Sequence, residues 1–474
     1  MFVFEKAVPE SVGVSSAAVT AFFAELDKLD AVHSVMLTRH DKLIAEVWWK
    51  PFQKEYRHEL FSCSKSFVSV AFGIACNEGL VSLDDKLVSF FPDKISDRVS
   101  ERMKKVTMRN LLTMASGHKS CPLSTRSIAY ANDWVRGFLE SELAYEPGTK
   151  FVYNSAATYM LSAVLRRVCG KNVLDYLNEK VFSHIGIVAE KWDCCPDGTN
   201  IGGWGLWLKT EDMLRFGRLL LNRGNWDGKQ LVPAEYLAEA TSFQIDNSSN
   251  EAPDWKLGYG YQFWRTSFNS FRCDGACGQY ILVMPEYDLC MAVTSGVSNM
   301  QRILTAFWNT VVPSIKDDVL TENRAGFAKM CNFLSNLEHA PLASELRIDK
   351  PSNVYEIEEN RIGLNTFGIN FDNDGCELLF TWNGGKNEKL RADYGKYSRN
   401  FLQLLEDCPR IIEASAAWIN ENELAIQVWF VETPYRDCYF LTFENDGITL
   451  KRDSLFTFLH PEFPVVRGKI KNNL

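Results

Sequence analysis

The apolar positions of this chain fall into two textures. From residue 1 to about 315, stretches with helical spacing alternate with short strand-like runs; from about 350 to 474 nearly every apolar run is strand-like. The first texture opens with an amphipathic helix after Ser15, "SSAAVTAFFAELDKL". Two strands follow, "HSVMLTRH" and "KLIAEVWW", hinged at His40-Asp41 as a hairpin. "SKSFVSVAFGIACNEG" predicts a helix stopped by Gly79, and Thr107 starts another in "TMRNLLTMASG". Helical stretches continue through "NSAATYMLSAVLRRVCG" and "TEDMLRFGRLLLNRG". Then "GQYILVMPEYDLCMAVTSG" holds two apolar runs around Pro285-Glu286, with a helix near 298–312. Strands at both ends thus bracket a helical middle, the pattern of one antiparallel sheet built from both ends with a helical cluster packed on it.

The segment "NRAGFAKMCNFLSNLEHAPL" reads as a connecting helix ended by Pro341. Beyond it, strands recur between Asp374-Gly375, Asn383-Gly384 and Asp446-Gly447, dipeptides suited to two-residue hairpin turns because they tolerate positive φ. The expected organisation is α+β: a domain over 1–315, a helical linker over 316–349 and a small antiparallel β domain over 350–474. Asp372, Asp374 and Gly375 superficially match a calcium loop, but position twelve falls on Thr381 where that loop needs glutamate.

Composition narrows the function classes. A chain of 474 residues with 46% hydrophobic and 23% charged residues is ordinary globular material with room for two or three cores. A net charge of -9 and the absence of Lys/Arg runs argue against nucleic-acid binding. No stretch reaches the ~18 apolar residues of a membrane span, and "MFVFEKAVPESVGVSS" lacks the basic and apolar regions of a signal peptide, so a cytoplasmic location is expected. The 13 cysteines are odd in number and irregularly spaced, as reduced thiols are. No zinc pattern forms around Cys194-Cys195 or His58-Glu59, and no metal or cofactor is expected.

The chemistry concentrates in residues 61–69, "FSCSKSFVS". If the helix begins at Ser62, Lys65 lies one turn along the same face, with its amine in reach of the Ser62 hydroxyl. The helix start adds unpaired N–H groups and partial positive charge that suit an anionic tetrahedral intermediate. An amine kept neutral by desolvation would raise the nucleophilicity of the serine. Serines also favour helix starts for capping alone, so Ser-x-x-Lys by itself leaves both roles open.

Context decides between them. "HELFSCSKSFVSVAFGIACNEGLVSLDDKL", "VTMRNLLTMASGH", "EPGTKFVYNSAATYMLSAVLRRVCG", "GGWGLWLKTEDMLRFGRLLLNRG" and "DGACGQYILVMPE" occur in the order expected of serine β-lactamases and penicillin-binding proteins. Over about residues 5–315 the chain resembles that superfamily, above all its class C and esterase-like branch. The resemblance implies a β-lactamase/transpeptidase-like domain in which Ser62 is acylated and Lys65 is its partner. It makes Tyr153 the general base, its phenolate held by Lys65. It implies an oxyanion hole from the N–H groups of Ser62 and Cys277, which needs no thiol.

Departures from the family pattern shape the expected substrate. The second motif, usually Tyr-x-Asn, is Tyr153-Asn154-Ser155, so the substrate-facing amide becomes a hydroxyl. The third motif, which places Lys-Thr-Gly or His-x-Gly against the substrate carboxylate, is Asp274-Gly275-Ala276. An unpaired Asp274 would repel anions and favour neutral or amine-bearing substrates; Arg272, two residues away on the same strand face, could neutralise it. Penicillins are therefore expected to be poor substrates. No class A glutamate is recognisable, although Glu146 precedes Tyr153. The expected activity is hydrolysis of a small ester or amide through an acyl-enzyme. The alternatives are a penicillin-recognising enzyme and a ligand-binding pseudo-enzyme. The C-terminal domain leaves three roles open: covering the cleft mouth, homodimerisation or stabilisation.

Overall fold

The computed structural model describes residues 2–125, 132–402, 410–456 and 463–471. Its chain divides into two compact units, Met1–Val47 with Arg57–Leu337, and Trp48–Tyr56 with Glu338–Leu474. The fold is mixed α+β, with one domain in which helices pack on a seven-stranded sheet and a separate all-β unit.

In the first unit, strands β1 (Glu5–Lys6), β2 (Val32–Arg39), β3 (Lys42–Trp48), β4 (Trp264–Thr266), β5 (Ser270–Gly275), β6 (Gln279–Met284) and β7 (Leu289–Ser295) form one sheet in the order β1-β3-β2-β7-β6-β5-β4. The two chain ends of the unit meet at the antiparallel β2–β7 pair, with Val35 opposite Val293 and Leu37 opposite Met291. The β2–β3 hairpin turns through His40 and Asp41, both at positive φ, as a two-residue turn requires. β2, β6 and β7 are buried along their whole length, so they read as continuous apolar runs.

The unit's longer helices include α1 (Ser16–Asp27), α2 (Ser64–Asn77), α3 (Ser155–Cys169), α4 (Thr210–Leu221) and α5 (Gln301–Thr310). α1 packs on α5 through Phe22 and Phe307, and α4 lies across β2, β6 and β7. α2 is buried on all sides from Ser64 to Ala75 and packs on α3, which places the two motif-bearing helix starts together. Among the described residues no helix is long and apolar enough to cross a membrane.

The second unit is a ten-stranded sheet closed on itself. It runs from Asn387–Tyr394 through Gly375–Trp382, Leu364–Phe371, Asn353–Ile357, Val466–Ile470, Gly447–Ser454, Arg436–Phe443, Glu423–Phe430 and Arg410–Asn420 to Ser398–Leu402. Asp393 also pairs with Ser415, which joins the first strand to the ninth. Alternate residues such as Phe367, Ile369, Leu378, Phe380, Ile426 and Val428 fill the interior. The hairpins at 372–374, 383–386 and 444–446 fall at the three expected dipeptides, with loops longer than two residues.

Trp48–Tyr56 belongs to this second unit although most of β3 precedes it in the first unit and the Ser62 segment follows. Phe52 packs edge-on against Trp429 at 5.5 Å, the Lys50 carbonyl accepts from His339 N–H at 2.7 Å, and the Tyr56 hydroxyl donates to Glu413.

Candidate active site

A short ladder pins the approach to Ser62. His58–Glu59 pairs with Trp207–Leu208, Leu60 N–H donates to the Leu206 carbonyl at 2.9 Å, and the Ser64 hydroxyl accepts from Leu206 N–H. Phe61 then takes φ +46°, an uncommon conformation for an aromatic residue. The α-helix starts at Ser64, two residues later than the sequence suggests; Ser62 sits in a preceding 3₁₀ turn, Phe61–Cys63. The one-turn spacing survives this shift, and Lys65 Nζ lies 2.9 Å from Ser62 Oγ.

Lys65 is 1% exposed. Its Nζ lies within hydrogen-bond distance of three neutral oxygens: Ser62 Oγ, Ser155 Oγ at 3.0 Å and the Gly203 carbonyl at 2.6 Å. Burial without a hydrogen-bonded carboxylate lowers its pKa from 10.5 to about 7. Ser155 therefore holds Lys65, an engagement it would share with any substrate contact. Gly203 was not singled out by the sequence, although "GGWG" crowds three glycines into four positions. A Cβ at Gly203 would lie 2.8 Å from the Ser155 carbonyl, so glycine lets this loop approach α3 closely enough to offer its own carbonyl to the lysine.

Tyr153 immediately precedes α3 and its cap. Asn154 caps α3 by accepting from Ala156 N–H, which fixes the residues on either side of it. The Tyr153 hydroxyl hydrogen-bonds with Ser62, while Lys65 Nζ lies over its ring, 4.9 Å from the centroid. Burial raises the phenol pKa well above its usual value. Trp264 packs on Tyr153 at 5.4 Å, within a cluster containing Met114, Phe151 and Tyr259. A buried chain backs the cap: Asn154 Nδ2 donates to Ser116, whose hydroxyl meets His118 Nδ1, while His118 Nε2 meets Ser141.

The third motif closes the site from β5. A Cβ on Gly275 would lie 2.2 Å from the Leu60 carbonyl, so glycine allows the strand end to press against the Phe61–Cys63 turn that carries Ser62. Gly275 to Gly278 form a tight turn, with Gly278 N–H donating to the Gly275 carbonyl. Within it Cys277 takes φ +65°, and its N–H donates to no atom of the described residues. The Ala276 carbonyl accepts from Gln279 Nε2 at 3.0 Å.

Asp274 is buried and paired. Arg272 Nε donates to Asp274 Oδ2 at 2.8 Å, and the guanidinium stacks 4.4 Å from the Trp255 ring. The unpaired Asp274 on which an amine preference would depend is thus not realised. Burial raises the Asp274 pKa to about 6, with Arg272 opposing the shift. Glu146 lies half-exposed between Arg102 and Lys105, a surface ion pair. Among the described residues no cluster of His, Cys, Asp and Glu could hold a metal.

A Bacillus anthracis protein provisionally assigned as a 6-aminohexanoate-dimer hydrolase is 18% identical, covering 65% of this chain and 86% of its own, at a TM-score of 0.54. SurE bound to D-Leu is 14% identical, covering 88% and 97%, at a TM-score of 0.51. EstCE1, a hydrolase with promiscuous acyltransferase activity, is 15% identical, covering 62% and 100%, also at 0.51. These similarities establish the fold. An uncharacterised protein of Alkalihalophilus pseudofirmus is 22% identical over 245 residues, 46% of this chain and 67% of its own. The Beta-lactamase family model matches residues 31–302, which span Ser62, Lys65, Tyr153 and the whole β5–β6 turn, and the chain belongs to the beta-lactamase family, a fold family composed mostly of serine hydrolases.

Proposed function

We propose that this protein hydrolyses a small ester or amide through an acyl-enzyme on Ser62. The observation that carries this reading is the buried Lys65 amine, 2.9 Å from Ser62 Oγ, with neutral oxygens as its hydrogen-bond partners and a pKa of about 7. Near neutral pH a large share of it is unprotonated and able to accept a proton.

In the proposed sequence Lys65 takes the Ser62 proton as Oγ attacks the acyl carbon, and the N–H groups of Ser62 and Cys277 receive the oxyanion. The leaving oxygen or nitrogen then takes the Tyr153 hydroxyl proton, and the phenolate recovers the proton held by Lys65, which returns both groups to their starting states. Tyr153 is suited to this, because burial keeps the phenol protonated and its hydroxyl contacts Ser62. This reverses the roles the resemblance implied, with lysine as base and tyrosine as proton carrier. Water, activated by the same pair, hydrolyses the ester intermediate.

Gly275 and Ala276 shape the edge along which the substrate lies, and the Asp274–Arg272 pair presents no net charge there. Small uncharged acyl compounds fit such a wall, and a β-lactam carboxylate meets no free cation from this motif. The twelve described cysteines are free, in keeping with action in the cytoplasm.

The test is a paired assay of wild type and Ser62→Ala with short-chain p-nitrophenyl esters and nitrocefin, alongside intact-mass detection of the adduct. Ester turnover and a Ser62 adduct in wild type alone are expected, with nitrocefin little changed. Silence toward both substrates with no adduct would favour the ligand-binding reading.

A further inference from the structure

We propose that Gln279 is a positioning residue that locks the peptide carrying the Cys277 N–H in the orientation needed for an oxyanion donor. This rests on the acyl-enzyme reading above. The turn Gly275–Gly278 is closed by the Gly278 N–H to Gly275 carbonyl bond at 3.2 Å. Of its central residues Cys277 has φ +65°, whereas Ala276 is not at positive φ. That combination defines a type II turn, whose central peptide, Ala276–Cys277, points opposite to that of a type I turn. The third residue of a type II turn favours glycine, and this chain has cysteine there. Left to local preference, the sequence would adopt type I. The Ala276 carbonyl would then swing toward the side to which the Cys277 N–H now points.

Gln279 supplies what local preference lacks. It is fully buried, and its amide is oriented without ambiguity: Oε1 accepts from Ser295 N–H at 3.1 Å, while Nε2 donates to the Ser295 carbonyl at 2.6 Å. The second Nε2 proton goes to the Ala276 carbonyl at 3.0 Å. Because carbonyl and N–H of one peptide point in opposite directions, a clamp on Ala276 O sets the direction of Cys277 N–H. The Gln279 backbone carbonyl in turn accepts from Cys63 Sγ at 3.1 Å, which ties the clamp to the nucleophile turn. Ser295 Oγ holds the next peptide through the Cys277 carbonyl at 2.6 Å.

The experiment uses the full chain and p-nitrophenyl butyrate, with Gln279→Met, Ser295→Ala, Cys277→Gly and the double variant Gln279→Met/Cys277→Gly. Loss of an oxyanion donor costs about 100-fold or more in kcat. Gln279→Met is expected to lower kcat by about 10- to 100-fold with KM nearly unchanged, to raise the infrared carbonyl stretch of the acyl-enzyme, and to weaken phenylboronic acid binding in parallel. Adding Cys277→Gly makes type II favourable again and is expected to restore most of kcat. Ser295→Ala should lower Tm with a smaller effect on the carbonyl stretch.

A Gln279→Met enzyme with an unshifted stretch, or one that Cys277→Gly does not rescue, overturns the proposal. So does a Ser295→Ala shift as large as that of Gln279→Met. If Gln279→Met does not fold, Gln279→Glu takes its place: it keeps the acceptor for Ser295 N–H and loses the donor to Ala276, and the same readouts apply. Failure of the acyl-enzyme reading is separable, because wild type would then form no adduct on Ser62.

Discussion

Lys65 in the first unit and Asp437 in the second are both ionisable groups removed from water, yet their surroundings differ in kind. Asp437 has a countercharge, Arg452 at 3.5 Å, and accepts from Ser454 at 2.6 Å. Lys65 has hydroxyls and a peptide carbonyl, while the nearby carboxylate of Asp274 is committed to Arg272. At Asp437 burial pushes the carboxyl up and the Arg452 countercharge opposes that push; the buried Lys65 amine among neutral oxygens sits near the midpoint of its titration and can exchange a proton with its neighbours. The contrast separates a group that stabilises from one that is poised to react.

Replacing both groups should sharpen that contrast most. Lys65→Met is expected to lower ester hydrolysis by about 10³-fold or more while leaving Tm equal or higher. The sign follows from linkage. The folded pKa is about 7 and the unfolded one about 10.4, so between these values the unfolded chain binds more protons, and wild-type stability rises as pH rises through that window. The Met variant should lack this rise, which thermal melts from pH 6 to 10 would reveal. Asp437→Ala should do the reverse, destabilising by about 3 kcal/mol with kcat/KM unchanged. An Asp437 variant that loses activity without losing stability would break the comparison.

Two glycines repeat the test in the backbone. A Cβ would lie 2.2 Å from the Leu60 carbonyl at Gly275 and 2.3 Å from the Ala392 carbonyl at Gly375. Both Ala variants should lose about 1–3 kcal/mol, read by denaturant melts. Only Gly275→Ala should also lose activity, by about 10- to 100-fold, because its clash falls on the nucleophile turn.

A smaller effect concerns pH. If neutral Lys65 is the base, kcat/KM should climb about tenfold per unit below pH 7 and level off above it. A flat profile from pH 5 to 8 would remove Lys65 from that role. Smallest of all, Glu146→Gln should leave hydrolysis unchanged within error, since its carboxylate serves an exposed ion pair; slowed deacylation would return it to the site.

Ser62 and Lys65 were legible because their relation is local: three residues apart near a helix start, they meet whether the helix opens at Ser62 or Ser64. The hairpin at His40-Asp41 was legible for the same reason. Gly203, Gln279 and Trp48–Tyr56 were not. Gly203 acts on Lys65 through its carbonyl, which every residue carries, and "GGWG" is the one trace it leaves. Gln279 looks like an ordinary strand residue until Ser295, 16 positions on, fixes its amide. Trp48–Tyr56 continues a strand of the first unit, and its membership of the second comes from contacts with residues such as His339 and Trp429.

What the sequence by itself determined is the periodicity, the turns and the order of motifs, and through them the family, the α+β architecture and the Ser62–Lys65 pairing. Each depends on neighbours within a few positions along the chain. What only the tertiary structure decided is the state of the reactive groups: that Lys65 meets neutral oxygens, that Arg272 neutralises Asp274, and that a cysteine occupies a turn position suited to glycine. Desolvation and hydrogen-bond partnership are set by atoms from several distant segments packed around one point, and no local pattern encodes which segments those will be.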